Sequence, residues 1–379
     1  MATNRVENIN PEILRQCREQ IGLEMEVVDK KLKIKSGAME NGEIKPTFKQ
    51  LEKIANLYQV PEWVFISESL PEEYRFNETV PAFRQFSTDN NNIFSDYKVR
   101  CLTTRVGRFR NLILEFRDDM DESVELFNPP QLEDNSSPEF VAKQVRDWLG
   151  VKDDNFSFSE WKEKLEEKNI FIFLSSKYRG WSHVDKEILR GLAIYHSQLP
   201  IIIINDSDAK KAQSFTLFHE LGHLLRKENA IDNWDGHSKN VEKWCDEFSG
   251  NILMPTGHIQ LAARSVSDLK NIKMIAKSFQ VSSYACLVRL RQLKIINQKQ
   301  YHIFETQIIK EYKEHQKRLS ESEGGPIRKR SKEILNQYGS IYTRAVFQAY
   351  HDDEIGLHKL CGLLDLKNVS HVFEMEGQL

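Results

Sequence analysis

The stretch from Ser214 to Pro255 limits what this chain can fold into more than any other. It opens SFTLFHELGHLLRK and closes VEKWCDEFSGNILMP. Inside it, His219-Glu220-Leu221-Gly222-His223 forms an H-E-x-x-H pattern. Residues four apart share one face of a helix, so His219 and His223 point at one spot about a turn apart. Two neutral imidazoles suit a zinc ion. Glu220, next to the first histidine, would project toward the open coordination position and take a proton from a metal-bound water. Phe215, Leu217, Phe218, Leu221, Leu224 and Leu225 flank the pattern. They predict a buried helix and a dry setting, which strengthens electrostatics at the site.

A catalytic zinc usually takes three protein ligands and a water. The stretch Val241 to Leu253 predicts a second helix, packed through Val241, Cys245, Phe248, Ile252 and Leu253. It offers Glu242, Asp246 and Glu247. Glu242 and Asp246 are four apart and share a face; Glu242 is read as the third ligand. Asp246 would accept from a ligand imidazole N–H and set its tautomer. Glu247 lies on another side of that helix and is the weaker candidate. A bare H-E-x-x-H also occurs in solvated helices without metal. Here the apolar flanks, Gly222 (which permits close helix approach) and the following E-x-x-x-D favour the metal reading. Cys245 follows the apolar face and reads as a buried structural thiol.

The other 300-odd residues of the 379-residue chain predict two or three domains. A hydrophobic share of 40% and a charged share of 29% fit a globular chain. A net charge of −3 gives no general push toward nucleic acid or anionic lipid. No apolar run approaches the roughly 20 residues of a membrane span. MATNRVENINPE has no apolar core of the signal-peptide kind. The five cysteines are scattered, without C-x-x-C, so a reducing, cytoplasmic setting is expected.

Four segments are expected. Residues 1–68 form a helical unit, with Thr47 as a helix cap. Residues 69–137 connect, with Pro81-Ala82-Phe83-Arg84 as a short docking segment and Ser95 to Arg117 as one helix. Arginines 100, 105, 108, 110 and 117 on that helix resemble a nucleic-acid face, but partnered charges on a solvated helix are the favoured reading. Residues 138–305 hold three strand signals, at 170–174, 191–195 and 200–205, before the histidine helix. Helices follow, the first with Asp268 as its cap and the second, from Tyr284, capped by Val281-Ser282-Ser283. Residues 306–379 are charged and helical, with small helices at 342–350 and 355–364. The fold class is α+β: mostly helical, with a small β-sheet packed against a zincin-type H-E-x-x-H helix. An edge strand beside such a site could pair with an extended peptide.

Two resemblances add to this reading. Glu40-Asn41-Gly42 through Pro46-Thr47, followed by Leu51 to Ala55, resembles the Xre-type helix-turn-helix pattern. The interval Lys33 to Met39 (KIKSGAM) is shorter than in that family, so the groove-reading helix is expected to be truncated. FTLFHELGHLL, EKWCDEFSGNILMP, the Arg190–Asn205 stretch and VSSYACLVRLRQL from Val281 together resemble the ImmA/IrrE family of zinc metallopeptidases. The resemblance places the family's ligands on His219, His223 and Glu242 and its general base on Glu220. Asp246 stands where many members have Asn.

The leading expectation is therefore a cytoplasmic zinc endopeptidase. Zinc-bound water, deprotonated toward Glu220, would attack a peptide carbonyl of a regulatory protein of repressor or antitoxin type. Tyr195, His183 and His196 are unranked candidates for oxyanion help, and His258 reads as an ordinary surface or core histidine. The alternatives are a DNA-binding regulator, or an antitoxin-like binding protein, whose zinc domain is a sensor or scaffold. Steeply salt-dependent binding to a specific DNA fragment would favour the regulator.

Overall fold

The structure is a computed structural model describing residues 5–75, 93–119, 125–133, 135–178, 180–227, 239–264, 266–321 and 329–378. The 81–84 segment lies outside the described residues. Among the described residues the N-terminal unit has four α-helices: α1 (Pro11–Gln20), α2 (Met25–Leu32), α3 (Ser36–Glu40) and α4 (Phe48–Tyr58). Local chemistry sets their ends. The Asn10 side chain caps α1, which has Pro at its start. Thr47 and Gln50 form a reciprocal capping box on α4. Ile13, Leu14, Cys17, Val28, Leu51, Ile54 and Leu57 close a small core of their own. The KIKSGAM interval yields a helix of only five residues. Its last residue, Glu40, is gripped by Arg18 through two bonds of 2.8 and 2.9 Å.

The next helix, α5 (Ile93–Asp119), joins two cores. Tyr97 and Cys101 complete the N-terminal one, while Val99, Leu102, Val106, Phe109, Ile113 and Phe116 enter another. Its arginines reach across to neighbouring elements. Arg105 donates to Gln59 Oε1 at 3.1 Å and Asp365 Oδ1 at 2.8 Å. Arg108 donates to the Gln59 carbonyl, and Arg110 to the carbonyls of Gln198 and Leu199. They are partnered, as expected, but by other elements of the fold: these cations fasten α5 to its surroundings.

The helices α6 (Pro138–Trp148) and α7 (Phe158–Glu166) lead into β1 (Phe171–Ser175), β2 (Gly191–Ile194) and β3 (Ile201–Asn205). The sheet order is β1-β3-β2, with β1 parallel and β2 antiparallel to β3. The central strand is buried on both faces, which explains its unbroken run of isoleucines. Side chains alternate between faces. Ile172, Leu174, Ala193, Ile202 and Ile204 join the core that holds Leu217, Phe218 and Leu221. Phe171, Phe173, Leu192, Ile194, Ile201 and Ile203 join α5 residues and Tyr338, Tyr342 and Val346.

The first face is covered by α8 (Lys210–Leu225), and α9 (Lys239–Leu253) packs against α8 and α6. Helices α10 (Thr256–Ala262), α11 (Leu269–Ser278), α12 (Ser283–Gln292) and α13 (Gln298–Glu321) follow; Asp268 caps α11 as expected, and within the Val281–Ser283 stretch it is Ser282 that caps α12. The second face is covered by α5 and α14 (Arg330–His351), followed by α15 (Leu357–Leu363) and α16 (Ser370–Glu376). The helix expected at 342–350 thus begins twelve residues earlier, at Arg330. Gly339, at φ 75°, breaks it in the middle, and this break hides the continuity in the sequence. Glu166 fills the break, accepting from Ser340 N and Oγ at 3.2 and 2.7 Å. The fold is mostly helical around a small sheet. Among the described residues no helix is long and apolar enough to cross a membrane.

Candidate metal centre

The site forms where α8 crosses α9. Leu217, Phe218, Leu221, Leu224 and Leu225 bury one side of α8. Gly222 lets α9 come close: a Cβ there would lie 3.0 Å from Cys245 Sγ and 3.4 Å from Cys245 Cβ. Cys245 is fully buried at this contact. The close crossing carries Glu242, one turn earlier on α9, to the two histidines of α8.

The donor atoms converge. His219 Nε2 and His223 Nε2 are 3.2 Å apart. Glu242 Oε2 is 3.3 Å from His219 Nε2, and Glu242 Oε1 is 3.5 Å from His223 Nε2. Among the described residues this is the one group of three or more His, Cys, Asp or Glu side chains that could hold a metal ion. His219 Nδ1 lies 2.9 Å from Asp246 Oδ1. Burial pulls the His219 pKa down, but hydrogen bonds to Asp246 and Glu242 and the nearby Glu220 charge outweigh it and raise it to about 10.

Glu220 is 9% exposed, and its charge acts on the neighbouring His219. Its carboxylate lies against Gly191 at the start of β2: a Cβ there would be 2.7 Å from Glu220 Oε1. Gly191 lies outside the H-E-x-x-H pattern, so that pattern does not reveal this contact. The Arg190-Gly191 pair opening a strand signal is the trace it leaves in the sequence.

The remaining candidates sit elsewhere. Glu247 pairs with Lys243 at 3.8 Å. His258 pairs with Asp154 at 2.6 Å, and Asp154 in turn with Arg146. His183 Nδ1 contacts the Ser176 carbonyl at 2.9 Å. Tyr195 packs edge-on against Phe127. His196 is held neutral: burial, then the Arg110 charge, lowers its pKa from 6.5 to about 4. The unfolded chain binds a proton here that the folded chain refuses, so stability falls as pH drops from about 6.5 toward 4. Thermal unfolding should shift down on going from pH 7 to 5, by on the order of 1 kcal/mol after solvent screening. His196→Asn should flatten that part of the profile; an unchanged slope would assign the shift to other groups.

Residues 178–291 match the Peptidase_M78 family model, the IrrE N-terminal-like domain. No curated protein matches the chain. The M78 match spans β2, β3 and α8 through α12 up to Arg291, and so includes His219, Glu220, His223 and Glu242. It supports a metallopeptidase of the IrrE/ImmA type. A peptidase domain implies a protein substrate.

Proposed function

We propose that this chain is a cytoplasmic zinc endopeptidase that cuts a specific regulatory protein of repressor or antitoxin type. The observation that carries the reading is the spacing of the donors. Zinc bonds of about 2.0–2.1 Å in a tetrahedron place ligand atoms about 3.3 Å apart. The separations among His219, His223 and Glu242 are 3.2, 3.3 and 3.5 Å. Two imidazoles and one carboxylate also match the donor set of catalytic zinc sites with an open fourth position. Zinc bound there supplies Lewis-acid polarisation of a carbonyl and a water of lowered pKa.

The protein's own groups do the rest. Glu220 accepts a proton during attack and hands it to the leaving amine. Asp246 accepts from His219 Nδ1 and so keeps Nε2 free for the metal. The Asn205 N–H donates to the Arg190 carbonyl at 2.9 Å, so that pair is hydrogen-bonded across the ladder. Antiparallel pairs alternate, so the main-chain groups of Gly191 and Ala193 face away from β3. Among the described residues β2 is one edge of the sheet, and this supports an extended peptide as substrate. For α1 to α4 we favour a docking role over DNA reading. Helix α3 has five residues, its last is locked to Arg18, and Phe48, Trp63 and Ile66 are exposed nearby on the unit.

Metal content decides the matter. Wild type should carry about one zinc per chain. His219→Ala, His223→Ala and Glu242→Ala should each lose it. Asp246→Ala should retain the metal with about 10- to 100-fold weaker affinity. No metal in any sample after zinc reconstitution would sink the enzyme reading. Metal kept in Glu242→Ala would move the third ligand elsewhere.

A further inference from the structure

We propose that Gly191 is a positioning residue for Glu220: the volume its absent Cβ leaves is the volume the carboxylate occupies. The inference rests on the peptidase reading above. A Cβ at position 191 would lie 2.4 Å from Thr216 Cγ2, 2.7 Å from Glu220 Oε1 and 2.9 Å from Glu220 Cγ. All three are inside van der Waals contact. Thr216 and Glu220 are four apart, so one face of α8 rests both side chains on this one glycine.

The strand cannot easily retreat. Gly191 to Ile194 are in register with Ile204 to Ile201, and β3 behind them is completely buried. Helix α8 is equally fixed by Leu217, Phe218 and Leu221, each fully buried. An added methyl meets Thr216 Cγ2 first and then the Glu220 chain at Oε1 and Cγ; of the two, the longer, unbranched Glu220 side chain is the one with room to move its carboxylate. The donor group is His219, His223 and Glu242, and Glu220 is not part of it, so a displaced Glu220 leaves the donor cluster standing. Glycine here sets where the proton acceptor sits and leaves metal affinity alone.

The test uses the full-length chain loaded with zinc and acetohydroxamate as the probe. A hydroxamate binds the metal and shares a proton with an adjacent carboxylate, so its affinity reports where Glu220 is, with no substrate needed. Wild type, Gly191→Ala, Glu220→Gln and the double variant Gly191→Ala/Thr216→Ser are compared by calorimetry, with zinc content measured on each. All four should hold zinc equally. Acetohydroxamate should bind at least about tenfold more weakly to the three variants, as expected for one lost charge-assisted hydrogen bond. The double variant removes the closest contact, to Thr216, but keeps the one to Glu220, so it should fold readily and stay weak. Wild-type affinity in Gly191→Ala overturns the proposal. So does recovery in the double variant, or zinc loss or unfolding in both glycine variants, since each assigns Gly191 to strand–helix packing. Wild type that binds neither zinc nor acetohydroxamate fails the peptidase reading itself, which is seen before any variant is compared.

Discussion

Glu220→Gln is expected to leave zinc in place and lower peptide-bond cleavage by about 10²- to 10⁴-fold, the range for loss of a positioned general base. The effect is large because the other acidic groups at the site, among the described residues, are already engaged. Glu242 is committed to His219 and His223, and Asp246 to His219 Nδ1. The change is isosteric, so the packing of Glu220 against Gly191 survives and folding should not suffer. The amide cannot take a proton at neutral pH. Cleavage of a genuine protein substrate, measured beside zinc content, checks this. Intact turnover with zinc bound would remove Glu220 from the chemistry. Zinc lost together with activity would show that Glu220 supports the metal instead.

Arg18→Ala should be the most damaging single change in the N-terminal unit, at about 3–5 kcal/mol. The side chains of Arg18 and Glu40 are 9% and 4% exposed. Removing the guanidinium strands a buried carboxylate, and that unpaired charge dominates the loss. Arg18 also donates to the Leu23 carbonyl at 2.8 Å, tying the turn between α1 and α2. Hydrogen exchange should lose protection in α1 to α4, which have their own core, while β3 amides keep theirs. Arg18→Met with Glu40→Leu should recover most of the loss, because an apolar pair of similar size leaves no orphan charge. Arg15, paired with Glu12 in solvent, is the control and should matter little. Undiminished protection in Arg18→Ala would show that Glu40 finds water or another partner.

The local devices were legible in the chain. Thr47, Asp268 and Ser282 cap the helices they precede, because a side-chain oxygen reaching a nearby backbone N–H needs only neighbouring residues. The alternation that divides the sheet between two cores was legible only in part. The isoleucine run of β3 announced a buried strand, but not that its partners would be one parallel and one antiparallel strand.

Four-residue spacing on one helix was enough to bring His219 to His223 and to put Asp246 on the face of Glu242, since both follow from 3.6 residues per turn. Their meeting across α8 and α9 depended on a crossing angle and a separation, which Gly222 against Cys245 makes short enough. The contact of Gly191 with Glu220 and the long reach of Arg105 from Gln59 to Asp365 left no periodic mark. Such contacts join residues 29 to 260 positions apart, and their free energy arises only when packing has already placed the elements. Sequence alone determined which side chains could do metal chemistry and which helices would carry them. Only the tertiary structure decided what stands next to them, because close approach is a property of the packed core rather than of any stretch within it.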